Sequence, residues 1–193
     1  MSAPIATCER HPQPQLELVR RARAGDERAF SLLVREYQSQ VFNFVLRLVG
    51  DRSLAEDLTQ EIFLRAYQAL PAFSFRSTFK TWLFQVAKNR VLDEWRRRGR
   101  RPHQVVAIDE AAPWLTAAEA PLERRETMNE IWQAIETLPI DLRMSLLLRD
   151  IVGLQYTEIA DTLDITLPTV KWRIFKARQT VVQALNRTDT LAA

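Results

Sequence analysis

Residues 88–101, KNRVLDEWRRRGRR, carry side chains that can bind a polyanion. Seven of them are basic and two are acidic, and five arginines fall within the last six positions. Guanidinium groups pair with phosphate oxygens, and rings that can stack on bases precede the stretch, at Phe73, Phe75, Phe79 and Trp82. The combination indicates a surface for nucleic acid; the simpler alternative is a solvated helix end.

Other kinds of site have little support. Cys8 is the only cysteine, so no internal disulfide can form and the thiolates of a structural zinc centre are missing. The two histidines, His11 and His103, lie in loop-like segments, and no carboxylate cluster with metal spacing accompanies the basic stretch. We expect no metal, no cofactor and no catalytic centre, and we expect Cys8 to be a spectator.

The charge is unevenly distributed along the chain. The formal net charge is only +3, yet segment 51–61 contains four acidic residues and a single arginine, the reverse of 88–101. This polarity predicts one face for an acidic partner and another for a basic one. No apolar run reaches the length of a membrane span, and the first residues lack a signal-peptide pattern, so we expect a cytoplasmic protein.

Helices must position these residues. From Leu16 onward apolar residues recur at three- and four-residue steps, and no convincing alternating strand occurs. Residues 98–121 hold three prolines and no sustained periodicity, which is typical of a linker. We predict an all-α fold of two small helical domains joined by a flexible linker, with boundaries at 1–15 (mobile leader), 16–97 (first domain), 98–121 (linker), 122–187 (second domain) and 188–193 (tail).

The first domain contains three predicted helices with apolar stripes. The core stripe of the earliest is Phe30, Leu33, Tyr37, Val41, Phe44 and Leu48. The next is predicted to open with a capping box from Ser53 to Glu56 and to bury Ala55, Leu58, Ile62, Ala66 and Ala69. The helix near 79–97 buries Phe79, Leu83, Val86, Ala87, Val91 and Trp95, and its opposite face carries Thr81, Gln85, Lys88, Asn89 and Arg96.

Residues 154–181, LQYTEIADTLDITLPTVKWRIFKARQTV, predict a helix-turn-helix. Two helices flank a short break at 164–166; Thr166 can cap the second, and Pro168 suits its first turn. The buried stripe of the second helix is Val170, Ile174, Ala177 and Val181. Residues suited to base edges face outward, at Thr169, Trp172, Lys176 and Gln179, with Phe175 at the margin and the cations Lys171, Arg173 and Arg178 beside them. An ordinary helical hairpin with a solvated basic face is the alternative.

Five segments in order resemble the extracytoplasmic-function sigma factors, small two-domain initiation subunits of bacterial RNA polymerase. They are GDERAFSLLVREY, AEDLTQEIFLRAY, FSFRSTFKTWLFQVAKNRVLDEWRRR, LPIDLRMSLLLRDIVGLQYTEIADTL and TVKWRIFKAR, and the similarity covers about residues 16–187. The resemblance implies that region 2 in the first domain binds core polymerase and the −10 element. Region 4 in the second domain would bind the −35 element and the β flap, and an anti-sigma factor is an expected partner.

The resemblance also implies roles for individual residues. The β′ clamp helices would meet Asp57, Gln60, Glu61, Leu64 and Gln68. The −10 element and the melted strand would meet Phe75, Arg76, Ser77, Trp82, Gln85, Lys88, Asn89, Arg96 and Arg97, with a flipped-base pocket near Phe75, Arg76, Ser77 and Asn89. The −35 element would meet Thr169, Lys171, Trp172, Arg173, Phe175, Lys176 and Gln179.

Three residues depart from the family pattern. Asp164 stands where glycine is usual, and Pro168 where a small residue is common. Trp172 replaces a small residue, often serine, and should alter the −35 preference. Two other functions stay open at this point: a stand-alone helix-turn-helix regulator, which needs neither the acidic leucine-bearing face nor the aromatic loop, and a nuclease, which the lack of a metal-ligand cluster disfavours.

Overall fold

The computed structural model describes residues 13–99 and 122–192, with side chains described for 15–99 and 128–186. The described residues form eight α-helices and one 3-10 turn and contain no strand, which confirms the all-α prediction. Most of the predicted leader and linker lies outside these residues. In the described ranges no helix is long and apolar enough to cross a membrane.

The helices divide into two domains. The N-terminal domain comprises α1 (Gln13–Arg23), α2 (Glu27–Val49), α3 (Arg52–Ala69), the 3-10 turn Leu70–Ala72 and α4 (Phe79–Arg98). The C-terminal domain comprises α5 (Leu122–Glu136), α6 (Ile140–Asp150), α7 (Tyr156–Leu163) and α8 (Leu167–Ala192). Helix α4 thus extends one residue beyond the predicted domain, and α8 continues into the segment predicted as a tail.

The start of α3 differs from the prediction. The N-cap is Asp51, whose carboxylate accepts a hydrogen bond from the Leu54 backbone N–H at 2.9 Å. Glu56 pairs instead with Arg52, at 3.1 Å. The Ser53 capping box is therefore wrong, because an aspartate two residues earlier follows directly on Gly50, which ends α2 with a left-handed φ of 71°.

Helix α2 runs through the core of the N-terminal domain. Its predicted stripe is buried apart from Phe30, which is partly exposed and packs on the edge of the core. Phe44 meets Phe84 of α4 edge to face, with ring centroids 5.4 Å apart. On α3 the predicted face is buried except for Ala69, which is exposed, while the neighbouring Phe63 turns inward. On α4, Phe79, Leu83, Ala87 and Val91 are buried as predicted, whereas Val86 and Trp95 are only partly buried and Phe84, which was not predicted, is buried. The apolar periodicity therefore located most of each buried face and missed Phe63 and Phe84.

A buried carboxylate organises the end of α4. Glu94 has no exposed surface and binds three arginines: Arg90 at 3.1 Å, Arg97 at 2.7 Å, and Arg98. Arg90, itself buried, also binds Glu61 of α3. Hydrogen bonding from Arg97, then from Arg98 and Arg90, lowers the pKa of Glu94 to about 2. The cluster therefore ties α4 to α3 through charge as well as through apolar packing.

The C-terminal domain contains the predicted helix-turn-helix. Val170, Ile174 and Ala177 are buried and seat α8 against α5, α6 and α7. Asp164 ends α7 with a φ of 55°, the left-handed conformation that glycine usually supplies. The Thr166 hydroxyl accepts a hydrogen bond from the Thr169 backbone N–H at 3.4 Å, as predicted for the start of α8. An aspartate tolerates this conformation better than most side chains, so the turn keeps its shape without glycine.

The two domains touch through apolar packing that joins their buried cores and through two polar patches. At the first, the Glu158 carboxylate of α7 accepts hydrogen bonds from the hydroxyls of Thr81 and Thr78 at 3.1 and 3.3 Å. The Lys80 ammonium donates to the Val152 carbonyl, and Gln85 donates to the Asp161 carbonyl at 3.4 Å. Helix α7 therefore lies against the first half of α4.

At the second patch, the Arg47 guanidinium of α2 lies 3.7 Å from the ring centroid of Trp132 on α5. Glu136 and Arg143 are buried beside these elements, and Arg143 donates to the carbonyls of Glu136 and Leu138. Burial raises the pKa of Glu136, an effect that the charges of Arg47 and Arg143 oppose. The Trp132 Nε1 and Arg143 Nε atoms are buried without a hydrogen-bond partner among the described residues, which weakens the closed arrangement.

Replacing the buried carboxylate tests the cluster. We expect Glu94→Gln to destabilise the protein by roughly 1.5–3 kcal/mol at pH 7, the range for hydrogen bonds to charged groups. The folded pKa of Glu94 lies below its ordinary value of 4.5, so its stabilisation is present above pH 4.5 and is lost as the pH falls towards 2. Urea unfolding at several pH values should show a shallower acid limb in Glu94→Gln than in the wild type. The exposed Glu130→Gln serves as the control, and an unchanged acid limb would contradict this account.

Weakening the first interdomain patch tests whether it holds the domains together. The double variant Lys80→Met, Thr81→Val keeps the apolar stems and removes two hydrogen bonds, each worth about 1 kcal/mol. Let the closed form be the one in which the two domains touch and the open form the one in which they are apart. The ratio of open to closed protein should rise roughly 30-fold, because the loss is about 2 kcal/mol and 1.4 kcal/mol corresponds to a factor of ten. Small-angle X-ray scattering of the full chain would detect a larger radius of gyration, which the exposed substitution Arg35→Met should not produce. An unchanged radius would show that these bonds do not hold the closed form.

Candidate nucleic-acid interface

The outward face of α8 carries the residues predicted for base contact. Trp172 and Phe175 are 60% and 66% exposed, and they point away from the buried stripe. Lys171 and Gln179 are exposed, while Thr169 and Lys176 are partly exposed. Helix α8 packs only on α5, α6 and α7 among the described elements with substantial contact, so this face is open.

Several polar side chains of α8 are held by partners within the domain. Arg173 reaches back to Asp141 of α6 at 3.2 Å, and Arg178 binds Asp150 at 2.6 Å. The Lys176 ammonium donates to Gln179 at 3.1 Å, and the Thr169 hydroxyl lies 2.8 Å from that of Thr166. The two arginines predicted beside the groove are therefore fixed against α6.

The loop before α4 holds an aromatic cluster around a strained residue. Phe75 adopts a φ of 57°, which is unfavourable for a bulky side chain. Its ring is 4.9 Å from the ring of Phe73 and 5.4 Å from the Arg23 guanidinium. The Trp82 ring of α4 packs on Phe73, with centroids 5.1 Å apart, and so fixes the loop against the helix. Phe75 and Ser77 stay partly exposed and Arg76 is exposed, so this loop presents a ring, a cation and a hydroxyl together.

The face of α4 predicted for DNA is partly covered. Thr81 is buried and contacts Glu158, so its placement on the outward face is wrong; α7 occupies that position. Gln85 and Lys88 are partly buried on the same side, and burial lowers the pKa of Lys88, an effect that the charge of Asp164 opposes. Asn89 is exposed. In this arrangement the N-terminal half of the predicted α4 face is covered by α7, and the C-terminal half, from Asn89 onward, is exposed.

Acidic partners moderate the arginine-rich end of α4. Arg96 pairs with Asp93 at 3.2 Å, and Arg97 pairs with Glu94 while keeping most of its side chain in solvent. The described part of the stretch therefore presents ordered guanidinium groups. Arg100 and Arg101 lie outside the described residues.

The predicted acidic face of α3 is fully on the surface. Asp57, Gln60, Glu61 and Gln68 are exposed, and Leu64 among them is 57% exposed. Arg90 lowers the pKa of Glu61, chiefly by hydrogen bonding, so this carboxylate remains charged. Tyr67, one turn after Leu64, is also exposed and packs its ring on Phe30 at 4.9 Å. The face thus combines an apolar centre with charged and polar surroundings, as a protein-binding surface does.

Sequence reasoning missed three contributors to these surfaces. Arg90 and Glu94 were counted only as charges of the stretch predicted to bind nucleic acid, yet their spacing of four on a helix permits an ion pair. Glu158 has a local signal, since it closes the capping box of α7 with Gln155. No local sequence pattern predicts the contact between Glu158 and Thr81, because the two residues are 77 positions apart.

Comparison with known proteins agrees with this architecture. The family described as Sigma-70 region 2 matches residues 33–101, and the family described as Sigma-70, region 4 matches residues 128–181. The RNA polymerase sigma-H factor of Pseudomonas aeruginosa is 38% identical over 178 residues, covering 88% of this chain and 92% of the relative. The ECF RNA polymerase sigma-E factor of Escherichia coli K12 is 38% identical over 173 residues, covering 85% and 90%.

Two solved structures have the same fold. CnrH in complex with the cytosolic domain of CnrY matches with a TM-score of 0.68 at 23% identity, covering 89% of this chain and 96% of that one. The sigma factor RpoE of Bartonella quintana, in complex with the anti-sigma factor NepR, matches with a TM-score of 0.68 at 22% identity, covering 81% and 96%. The two matched regions, in the order and domains described above, and the extent of the similarity show that the chain belongs to the extracytoplasmic-function sigma factors of the sigma-70 family.

Proposed function

We propose that this sigma factor directs promoter-specific initiation by joining core polymerase to both promoter elements. Its N-terminal domain binds the β′ clamp helices through α3 and the −10 element through α4 and the preceding loop. Its C-terminal domain binds the −35 element through α8 and also contacts the β flap. The observation that carries the proposal is that one small domain exposes both the leucine-centred acidic face of α3 and the basic, aromatic surface of α4. A stand-alone regulator would need only α8.

Capture of a separated strand is the proposed means of opening the duplex. Stacking is worth about 1–3 kcal/mol per base and offsets the few kcal/mol of unpairing one base pair. The partly exposed Phe75 ring, with Arg76, Ser77 and the exposed Asn89, supplies the groups that would hold a flipped base. The strain at Phe75 supports this role, since costly backbone conformations concentrate at binding sites. Trp82 would act from beneath by fixing the loop.

DNA binding along the whole of α4 requires the domains to separate. In the closed arrangement, with α7 against α4, Thr81 donates to Glu158 and Gln85 donates to the α7 backbone. A DNA strand therefore cannot reach these two residues. The interface includes the Trp132 Nε1 atom, buried without a hydrogen-bond partner among the described residues, which lowers the cost of opening. Binding to polymerase would then supply the free energy that holds the domains apart.

The relatives and solved structures also support proposals about partners and about the absence of catalysis. CnrH and RpoE were solved with the cytosolic domain of CnrY and the anti-sigma factor NepR, which supports an anti-sigma factor as a partner here. The curated relatives are named as sigma factors, which supports a binding protein that carries out no covalent reaction and acts in the cytoplasm with polymerase. No observation favours the stand-alone regulator or the nuclease.

Run-off transcription tests the proposal directly. Purified bacterial core polymerase is incubated with a pooled promoter library, with and without the protein. Specific start sites that appear only on its addition are the expected result, and their shared upstream sequences define the −10 and −35 elements. If the protein produces no transcripts and does not bind core polymerase, the proposal is overturned in favour of a stand-alone regulator.

The face of α3 is tested at its apolar centre. We expect Leu64→Asp to weaken binding to core polymerase about 30-fold or more, because truncating a hot-spot residue costs about 2 kcal/mol. Leu32→Asp on α2 is the matched control, since Leu32 is similarly exposed and lies outside this face. Competition binding against the wild type measures the difference. Equal losses in both variants would remove α3 as the specific contact.

A further inference from the structure

Two aromatic side chains lie side by side on the open face of α8. Trp172 and Phe175 are three residues apart, hence neighbours on a helix surface, and both are mostly exposed. The buried residues Val170 and Ile174 face the opposite direction and already seat the helix. The aromatic pair is therefore not needed for the core of the domain.

Several polar side chains around this pair have partners within the domain. Arg173 pairs with Asp141, Lys176 donates to Gln179, and the Thr169 hydroxyl bonds with that of Thr166. These contacts orient the side chains and leave further donors for base edges or phosphates, as does the exposed Lys171. The two rings are the large apolar groups exposed among them.

Only one base presents an apolar group in the major groove: thymine, through its C5 methyl. The ring of Phe175 has no hydrogen-bonding group, and Trp172 has a single N–H donor, so neither can form the paired hydrogen bonds that distinguish guanine or adenine. We infer that Trp172, together with Phe175, selects thymine methyl groups in the −35 element. This inference rests on the proposed function, because it requires α8 to enter the groove there.

The pair would give α8 a base preference that a small residue at position 172 could not. A small residue at position 172 would leave the groove floor untouched, whereas an indole extends several ångströms further and covers more than one base edge. A −35 element matched to it should contain thymines, on either strand, where the first three turns of α8 approach. Cytosine at the same positions lacks the methyl group and should bind more weakly.

The methyl groups can be removed without altering base pairing. In a promoter identified by run-off transcription, each −35 thymine is replaced in turn by deoxyuridine, and initiation by the holoenzyme is measured. At one or more positions, initiation by the wild type at limiting holoenzyme should fall about fourfold. This is the change in affinity expected when the burial of one methyl or methylene group is lost. Thymines between the two elements provide the template control and should be insensitive.

The protein side is tested in the same assay. Trp172→Ser should remove most of the deoxyuridine effect at its position, so that thymine and uracil templates become nearly equal. Val182→Ser is the matched control, because Val182 is similarly exposed but lies ten residues, about 15 Å, further along α8. It should retain the wild-type sensitivity. Thermal melting of each variant checks that the domain is folded.

Several outcomes would overturn the inference. Specific initiation with no sensitivity to deoxyuridine anywhere in the −35 element would show that the rings do not read methyl groups. Equal sensitivity in Trp172→Ser and the wild type would assign the methyl contact to another residue. A Trp172→Ser defect that is the same on every template would place the indole against the DNA backbone or a protein partner. Absence of any specific initiation, even on unmodified templates, would instead refute the proposed function.

Discussion

Glu94 has no exposed surface, and a carboxylate in such a place must be compensated by cations. Arg90, Arg97 and Arg98 provide them, and Arg90 extends the network to Glu61 on α3. Three arginines of α4 are thus oriented by one buried acid, which also limits their mutual repulsion, while Arg96 pairs with Asp93. The same network joins the proposed DNA-binding helix to the proposed polymerase-binding helix, so the two surfaces are held in a defined relation.

The two helices proposed to bind DNA are exposed to different degrees. Helix α8 is seated by its buried stripe within its own domain and leaves its other face in solvent. Helix α4 is contacted on part of its corresponding face by α7 through Thr81, Lys80 and Gln85. In this arrangement the protein exposes the face proposed for the −35 element and covers part of the face proposed for the −10 element. If those proposals hold, domain separation precedes capture of the melted strand.

The contacts between the domains suit reversible closure. They combine apolar packing between the two cores with hydrogen bonds, a cation–π contact and a buried cluster of Arg47, Glu136 and Arg143. Buried charges of this kind add little net stability, because desolvation offsets most of their attraction.

Much of this protein could be predicted from its sequence. Apolar residues at three- and four-residue steps determined the helices, their buried faces and the helix-turn-helix, because helix formation and amphipathic packing depend on near neighbours. The surface residues of α3 and α8 followed from the same periodicity. Cap choice was less predictable, since Asp51 and Ser53 compete within two residues. Only the tertiary structure decided the burial of Glu94, the cover that α7 places on Thr81, and the pairing of Arg173 with Asp141. Those features either join residues on different helices or depend on how deeply a side chain is buried. Their free energies depend on interatomic distances and desolvation, which periodicity along one helix does not encode.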